Sequence, residues 1–315
     1  MITQRKIAMI GAGMIGGTLA HLALMKRLGD IVLYDVIEGM PQGKALDLLE
    51  SGPIEGYEGR IVGTNSLADI AGADVCIVTA GLPRKPGMSR DDLLSTNVKI
   101  MKDVAGGIKA HAPNSFVIVI TNPLDAMVTV AKRVTGFPKQ RVVGQAGVLD
   151  SARYRAFVAQ ELKVSVDSVS AIVLGGHGDD MVPVRSHCHV GGVPVDRMIP
   201  ADRLDAIERR VRNAGGEIVN LLKTGSAFYS PAHAAIRMAE AHLFDKKEVL
   251  PCAALLEGEY GVNGFYVGVP VQIGAAGVEK VVEVELTTAE RSALDASVEH
   301  VRELVAASER FLTGA

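Results

Sequence analysis

Six residues constrain this chain more than any others. Gly11-Ala12-Gly13-Met14-Ile15-Gly16 directly follows the apolar run at 6–10 and opens a helical pattern. In a G-x-G-x-x-G placed between strand and helix, the first glycine allows a tight turn. The second lets the backbone approach a pyrophosphate, and the third lets the helix pack closely on the strand. The helix N-terminus then presents unpaired N–H groups to the phosphates. Asp35 ends the next apolar run, nineteen positions after Gly16. A carboxylate there accepts hydrogen bonds from the adenosine ribose and repels the extra phosphate of NADP, so the expected cofactor is NAD. The alternative is a glycine-rich turn that binds nothing, beside a surface aspartate.

The surroundings of the motif fit a nucleotide fold. Short β-rich runs at 6–10, 31–35, 60–64, 74–80, 115–121 and 141–145 alternate with helical patterns at 18–27, 42–50 and 91–111. Several runs are unbroken Val and Ile, as suits strands buried on both faces. Such alternation predicts an α/β fold with a Rossmann-type doubly wound parallel sheet. Past residue 147 the texture changes. A helix is expected at 152–162, strands at 169–174 and 182–190, and a Gly191-Gly192 hairpin turn to 193–195. Helices follow at 202–222 and 231–242, with further strands that include 265–273. Thr287 and Glu290 form a capping-box pattern ahead of a last helix bearing Leu294, Val298, Val301, Val305 and Leu312. The expected division is a dinucleotide-binding domain at 1–147 and an α+β substrate domain at 148–315, in keeping with a length of 315 residues.

Bulk chemistry narrows the partners. A net charge of -3 gives no electrostatic reason to expect nucleic acid or an anionic membrane. Any anion must be held by a few placed cations. Cys76, Cys188 and Cys252 are too few and odd in number for a disulfide framework, which favours a reducing cytoplasm. The apolar stretch at 7–25 resembles a leader, but four glycines and His21 interrupt it and no A-x-A-like cleavage site follows. A soluble chain is the expectation, with no membrane partner.

Chemistry-bearing residues cluster in two short segments. His177 stands in Leu174-Gly-Gly-His177-Gly-Asp179, where flanking glycines leave the ring accessible, and histidine is the natural acid/base near neutral pH. Asp150 and Arg153, three apart, share a helical face. An aspartate behind the histidine would fix its tautomer, and the arginine would fork onto a carboxylate. Spacing alone leaves this open, because an aspartate at a helix start is commonly a cap and a single histidine is commonly structural.

GAGMIG, TAGLPRKPGMSRDDLL, VITNPLDAM, GVLDSARYR and GGHGDDMVP occur in that order. Together they resemble the signature segments of the lactate/malate dehydrogenase family, closest to its bacterial lactate-dehydrogenase-like malate dehydrogenases, over essentially the whole chain. The resemblance implies that His177 exchanges the proton of the substrate hydroxyl, with Asp150 as its partner. It implies that Arg153 binds the C1 carboxylate, and that Asn122 contacts the reacting oxygen and helps seat the nicotinamide. Arg90 would polarise the carbonyl from a mobile loop, and Arg84 on the same loop would face the distal end of the substrate. The implied NAD contacts are Gly11, Ala12, Gly13, Met14, Ile15, Gly16, Asp35, Asn97, Ile120, Thr121 and Asn122. A homodimer or homotetramer is implied too, with 42–50 as a candidate interface helix.

Arg84 bears on the substrate. Lactate-type members usually carry glutamine there, whereas an arginine suits the second carboxylate of malate or oxaloacetate. Gly225-Ser226-Ala227 would line the same pocket with small groups. Two alternatives stay open. His187, Cys188 and His189, read on one strand, would put both histidines on one face; no metal is expected, because such spacing without geometry is weak. The other alternative is a non-catalytic NAD-binding protein, because a fold alone does not establish activity.

Overall fold

The computed structural model describes residues 5–83 and 89–313, the side chain of Arg90 excepted. The first half is built as β1 (Lys6–Ile10), α1 (Met14–Met25), β2 (Asp30–Tyr34), α2 (Met40–Glu55), β3 (Ile61–Thr64), β4 (Val75–Val78), α3 (Arg90–His111), β5 (Phe116–Val119), α4 (Leu124–Thr135) and β6 (Val142–Gly144). These six strands are parallel and lie in the order β6-β5-β4-β1-β2-β3. The order reverses between β1 and β4, which places the crevice of a doubly wound sheet there. Every residue of β4 and β5 is buried, as expected for strands covered on both faces. One apolar layer joins the sheet to α1 through Leu19, Ala20 and Ala23, and the other joins it to α3 and α4 through Val98, Met101 and Met127.

The second half adds α5 (Gly147–Leu162), β7 (Val169–Ser170), β8 (Val173–Leu174), β9 (Val182–Pro183), β10 (His189–Val190), β11 (Val193–Pro194), α6 (Ala201–Leu222), α7 (Tyr229–Leu243), β12 (Glu248–Glu257), β13 (Asn263–Gly274), β14 (Gly277–Val281) and α8 (Thr288–Thr313). The first sheet does not stop at the expected boundary. β12, β13 and β14 extend it antiparallel to nine strands among the described residues, joined at the pair Ala253–Gly144. A side chain at Gly144 would come within 2.9 Å of Ala253 Cβ, so a bare backbone makes that seam possible. A smaller core of Tyr154, Val158, Val190, Leu204 and Val211 lies outside the sheet.

Several expected boundaries move. The run at 74–80 ends as a strand at Val78, because the Thr79 and Ala80 N–H groups both turn to donate to Ile10 O. The helix expected at 152–162 begins at Gly147, wedged where a Cβ would sit 2.8 Å from Pro251 Cβ and 2.9 Å from Val173 O. The strand expected at 182–190 is two short pieces separated by a 3-10 turn, Arg185–His187. His187 and His189 therefore do not share an alternating strand face. His187 Nε2 donates to Glu285 O at 2.7 Å, and Cys188 is buried. The Gly191-Gly192 turn forms as expected, both residues with positive φ, pairing β10 with β11. Thr287 and Glu290 form their capping box: the Thr287 N–H donates to Glu290 Oε2 and the Glu290 N–H to Thr287 Oγ1. The apolar stretch at 7–25 is β1 and the body of α1, and no helix among the described residues is long and apolar enough to cross a membrane.

Candidate active site

Two groups of residues meet at the C-terminal edge of the parallel strands. The first is the glycine-rich turn. Gly11 takes φ +110°, and a Cβ there would lie 2.5 Å from Thr79 Oγ1. At Gly16 a Cβ would fall 1.8 Å from Gly11 O, so the close helix–strand contact needs hydrogen alone. Gly13 differs: a Cβ there meets nothing within 4 Å. The protein itself leaves the space above Gly13 open, at the N-terminus of a helix that no side chain caps. That is a cradle for an anion, and a side chain would fill it.

Asp35 completes the turn. Its Oδ2 accepts from Ala12 N–H at 2.7 Å and its Oδ1 from Ile37 N–H at 3.0 Å. Each oxygen keeps capacity for a ribose hydroxyl. Lys44 of α2, which sequence reading did not single out, donates from Nζ to Gly13 O at 2.8 Å. Burial lowers its pKa, and the charge of Asp35 partly restores it. Met14 stands exposed and Ile15 half-buried along the start of α1.

The crevice floor comes from β4 and β5. Thr121 Oγ1 donates to Ala80 O at 2.8 Å, joining the two strand ends, with Ile120 buried beside it. Asn97 of α3, expected at the cofactor, is 1% exposed, and its amide is engaged with backbone. Its Nδ2 donates to Asn122 O at 2.7 Å and to Leu82 O at 3.1 Å, while its Oδ1 accepts from Leu82 N–H at 2.8 Å. It thus holds Leu82 against the turn that carries exposed Asn122. The expected substrate arginine Arg84 lies outside the described residues, as does the side chain of Arg90. The backbone at Arg90 begins α3 behind a Ser89–Asp92 capping box.

The second group surrounds His177, on the connection after β8. Its Nδ1 lies 2.8 Å from Asp150 Oδ2, and Arg153 Nη1 donates to Asp150 Oδ1 at 3.0 Å. Asp150 is 1% exposed and does not cap α5, whose start has no side-chain cap. An ionised carboxylate only accepts, so the ring proton sits on Nδ1 and Nε2 is left as the base. Burial alone pulls the pKa of His177 down, but the charge and hydrogen bond of Asp150, with Asp125 behind them, hold it above its ordinary value. Arg153 is largely buried, and its Nε has no partner among the described residues. A cation with spare donors beside a base is suited to receive a carboxylate.

One contributor passed unnoticed in the sequence. Asp125, in the first turn of α4, is 4% exposed, and its Oδ2 accepts from the His177 backbone N–H at 2.9 Å. Ser297 of α8 supports the same loop, its Oγ accepting from Gly176 N–H at 2.9 Å. The visible signal was an acid within the largely apolar stretch 124–131, where a charge needs a reason.

A doubly wound sheet with an open anion cradle at its switch point defines a dinucleotide-binding α/β protein. Residues 5–144 match the family model described as lactate/malate dehydrogenase, NAD binding domain, and residues 147–312 match that of the alpha/beta C-terminal domain. The chain belongs to the lactate/malate dehydrogenase family, and NAD is its cofactor. It is 60% identical over 311 residues to a malate dehydrogenase of Roseobacter denitrificans, covering 97% of each chain. It is similar to the crystal structure of Cryptosporidium parvum malate dehydrogenase, with TM-score 0.95, 47% identity and coverage of 99% and 100% of the two chains. It is equally similar to the lactate dehydrogenase of that organism complexed with lactic acid and nicotinamide adenine dinucleotide, with TM-score 0.95, 47% identity and coverage of 98% and 99%.

Proposed function

We propose that the chain interconverts (S)-malate and oxaloacetate with NAD, His177 accepting the hydroxyl proton in the oxidative direction. The observation that carries this is the Asp150 carboxylate shared between His177 Nδ1 and Arg153 Nη1. It leaves a base and an anion-binding cation side by side at the cofactor crevice. NAD, when bound, supplies the hydride acceptor. The chain supplies everything else: Arg153 binds the C1 carboxylate, Asp150 orients the ring, and Asn122 contacts the reacting oxygen. Arg90 polarises the carbonyl and Arg84 pairs with the distal carboxylate, assignments that rest on sequence resemblance. Gly11, Ala12, Gly13, Met14, Ile15, Gly16 and Asp35 hold the dinucleotide, with Asn97, Ile120 and Thr121 shaping its floor.

The substrate choice is supported by the bacterial malate dehydrogenase relative at 60% identity and by Arg84. Fold similarity does not discriminate, because the lactate dehydrogenase structure is equally close. The test is NADH oxidation with oxaloacetate and pyruvate side by side. Malate chemistry requires oxaloacetate to be strongly preferred. A preference for pyruvate makes the chain a lactate-type enzyme, and turnover of neither makes it a binding protein.

We further propose a division into a dinucleotide-binding part, 1–147, and a substrate part, 148–315, and a homo-oligomer, dimer or tetramer, working in the cytoplasm. Three buried free cysteines are in keeping with a reducing compartment. α2 exposes Leu46, Leu49 and Ile54, while an open groove of about 760 Å³, lined by Val148, Leu149, Ile172, Tyr229 and Leu250 together with Arg155, His233 and Arg237, offers a partly apolar surface. A second copy would bury both. Sedimentation of the wild type and of a Leu46→Glu, Leu49→Glu variant tests this: the wild type should run as an oligomer and the variant as a monomer.

A further inference from the structure

Asp125 is placed as no ordinary helix-start aspartate. It lies at the second residue of α4, and besides engaging its own backbone N–H its carboxylate reaches across to the loop at 175–177. Oδ2 accepts the His177 N–H, and Oδ1 is buried without a hydrogen-bond partner among the described residues. A Cβ on Gly176 would lie 3.3 Å from Asp125 Oδ2 and 2.9 Å from Val301 Cγ2, so the loop is pressed directly on this carboxylate. Two acids therefore serve one histidine. Asp150 holds the ring, and Asp125 holds the backbone.

We propose that Asp125 is a positioning residue for His177: it anchors the histidine backbone, and its charge, added to that of Asp150, sets how readily the imidazole takes a proton. The role rests on His177 being the proton acceptor.

A merely structural anchor does not need a charge. A neutral amide accepts the same N–H bond, and a buried ionised oxygen without a partner is costly. Burial pushes the Asp125 carboxyl up to about 6, against the opposing pull of His177. The charges acting on the pair are those of Asp150 and Arg153 from α5; α8 presents uncharged Ser297 and Val301 to the loop, and its titratable His300 is paired with Asp180, three residues beyond His177. The two groups titrate together. A proton on the ring favours ionised Asp125, and a proton on Asp125 weakens its hold on the ring proton.

Asp125→Asn separates charge from anchoring, because its amide oxygen still accepts from His177 N–H. The ring titration of His177 is followed by NMR in the protein without ligands, its signal among the eight histidines assigned by its loss in His177→Asn. The expected result is a His177 pKa lowered by about one unit, the lower end of the effect of a nearby charge. The malate-oxidation profile should move the same way. An unmoved ring titration in a folded variant would overturn the proposal, whichever substrate the enzyme prefers. Should the variant not fold, ¹³Cγ-aspartate labelling of the wild type decides. A carboxyl titrating near 6 in step with the His177 ring supports the coupling, and every carboxyl titrating in the ordinary range independently of the ring refutes it.

Discussion

His177 Nδ1 sits 2.8 Å from an Asp150 carboxylate that Arg153 also grips from its other oxygen. The aspartate is thus fixed by a guanidinium, and the imidazole is fixed by the aspartate. This chain of contacts orients Nε2, and the Asp150 carboxylate, against the opposing charge of Arg153, makes the imidazolium easier to form. His177→Asn keeps a polar side chain of similar size but has no basic nitrogen. It should lower turnover in both directions by at least about 10²-fold, the low end for general acid–base catalysis. NADH binding, followed by fluorescence, should be unchanged. Near-full activity with intact binding would remove His177 from the proton path.

The glycines of the turn separate two kinds of necessity. Gly16→Ala pushes a methyl group to 1.8 Å from Gly11 O, so the fold itself must give, and the melting temperature should fall. Gly13→Ala meets no protein atom within 4 Å. It should melt with the wild type yet bind NADH at least about tenfold more weakly, a loss equivalent to about 1.4 kcal/mol. Equal NADH affinity for wild type and Gly13→Ala would place the dinucleotide elsewhere.

Asp35 has two tasks, and one substitution exposes both. Its Oδ2 steadies the turn through Ala12 N–H, and the carboxylate also disfavours a 2′-phosphate. Asp35→Ser should weaken NADH binding by roughly 10-fold or more, as expected for loss of a hydrogen bond to a charged group. It should also narrow the preference for NADH over NADPH. The two catalytic efficiencies, measured in both proteins, check this; an unchanged ratio would take Asp35 out of cofactor selection.

Much of this was legible because it is local. The glycine turn, the strand–helix alternation and the Gly191-Gly192 hairpin are set by neighbouring residues. What stayed hidden depends on distant ones. β12 was obscured by Pro251, tolerated where it pairs with Pro270 in an antiparallel hairpin. The union of β12 with β6 joins Gly144 to Ala253, which no local pattern announces. α4 was not read as an element, so the meeting of Asp125 with His177, fifty-two residues on, could not be seen. Asp150 was open to being a cap until the start of α5 moved to Gly147.

Arg84→Gln tests the substrate. A guanidinium keeps its charge at any working pH and pairs a carboxylate with two hydrogen bonds, whereas with pyruvate it has no partner. The variant should lose most of its efficiency with oxaloacetate and gain with pyruvate. Sites built for a polar partner can discriminate by about 10⁴–10⁵, so the ratio of the two efficiencies should fall by orders of magnitude. A ratio within a few-fold of wild type would mean that Arg84 does not read the distal carboxylate.

The most direct measurement is the pH dependence of the wild-type enzyme in both directions with NAD or NADH saturating. Malate oxidation needs neutral His177 and oxaloacetate reduction needs it protonated. Asp150 and Asp125 hold the histidine above its ordinary pKa of about 6.5. Oxidation should therefore rise with pH through a pKa above that value, reduction should fall across the same range, and Asp150→Asn should carry both limbs to lower pH. Parallel limbs in the two directions, or opposite limbs that Asp150→Asn leaves in place, would contradict the assignment of His177 as the group that carries the proton.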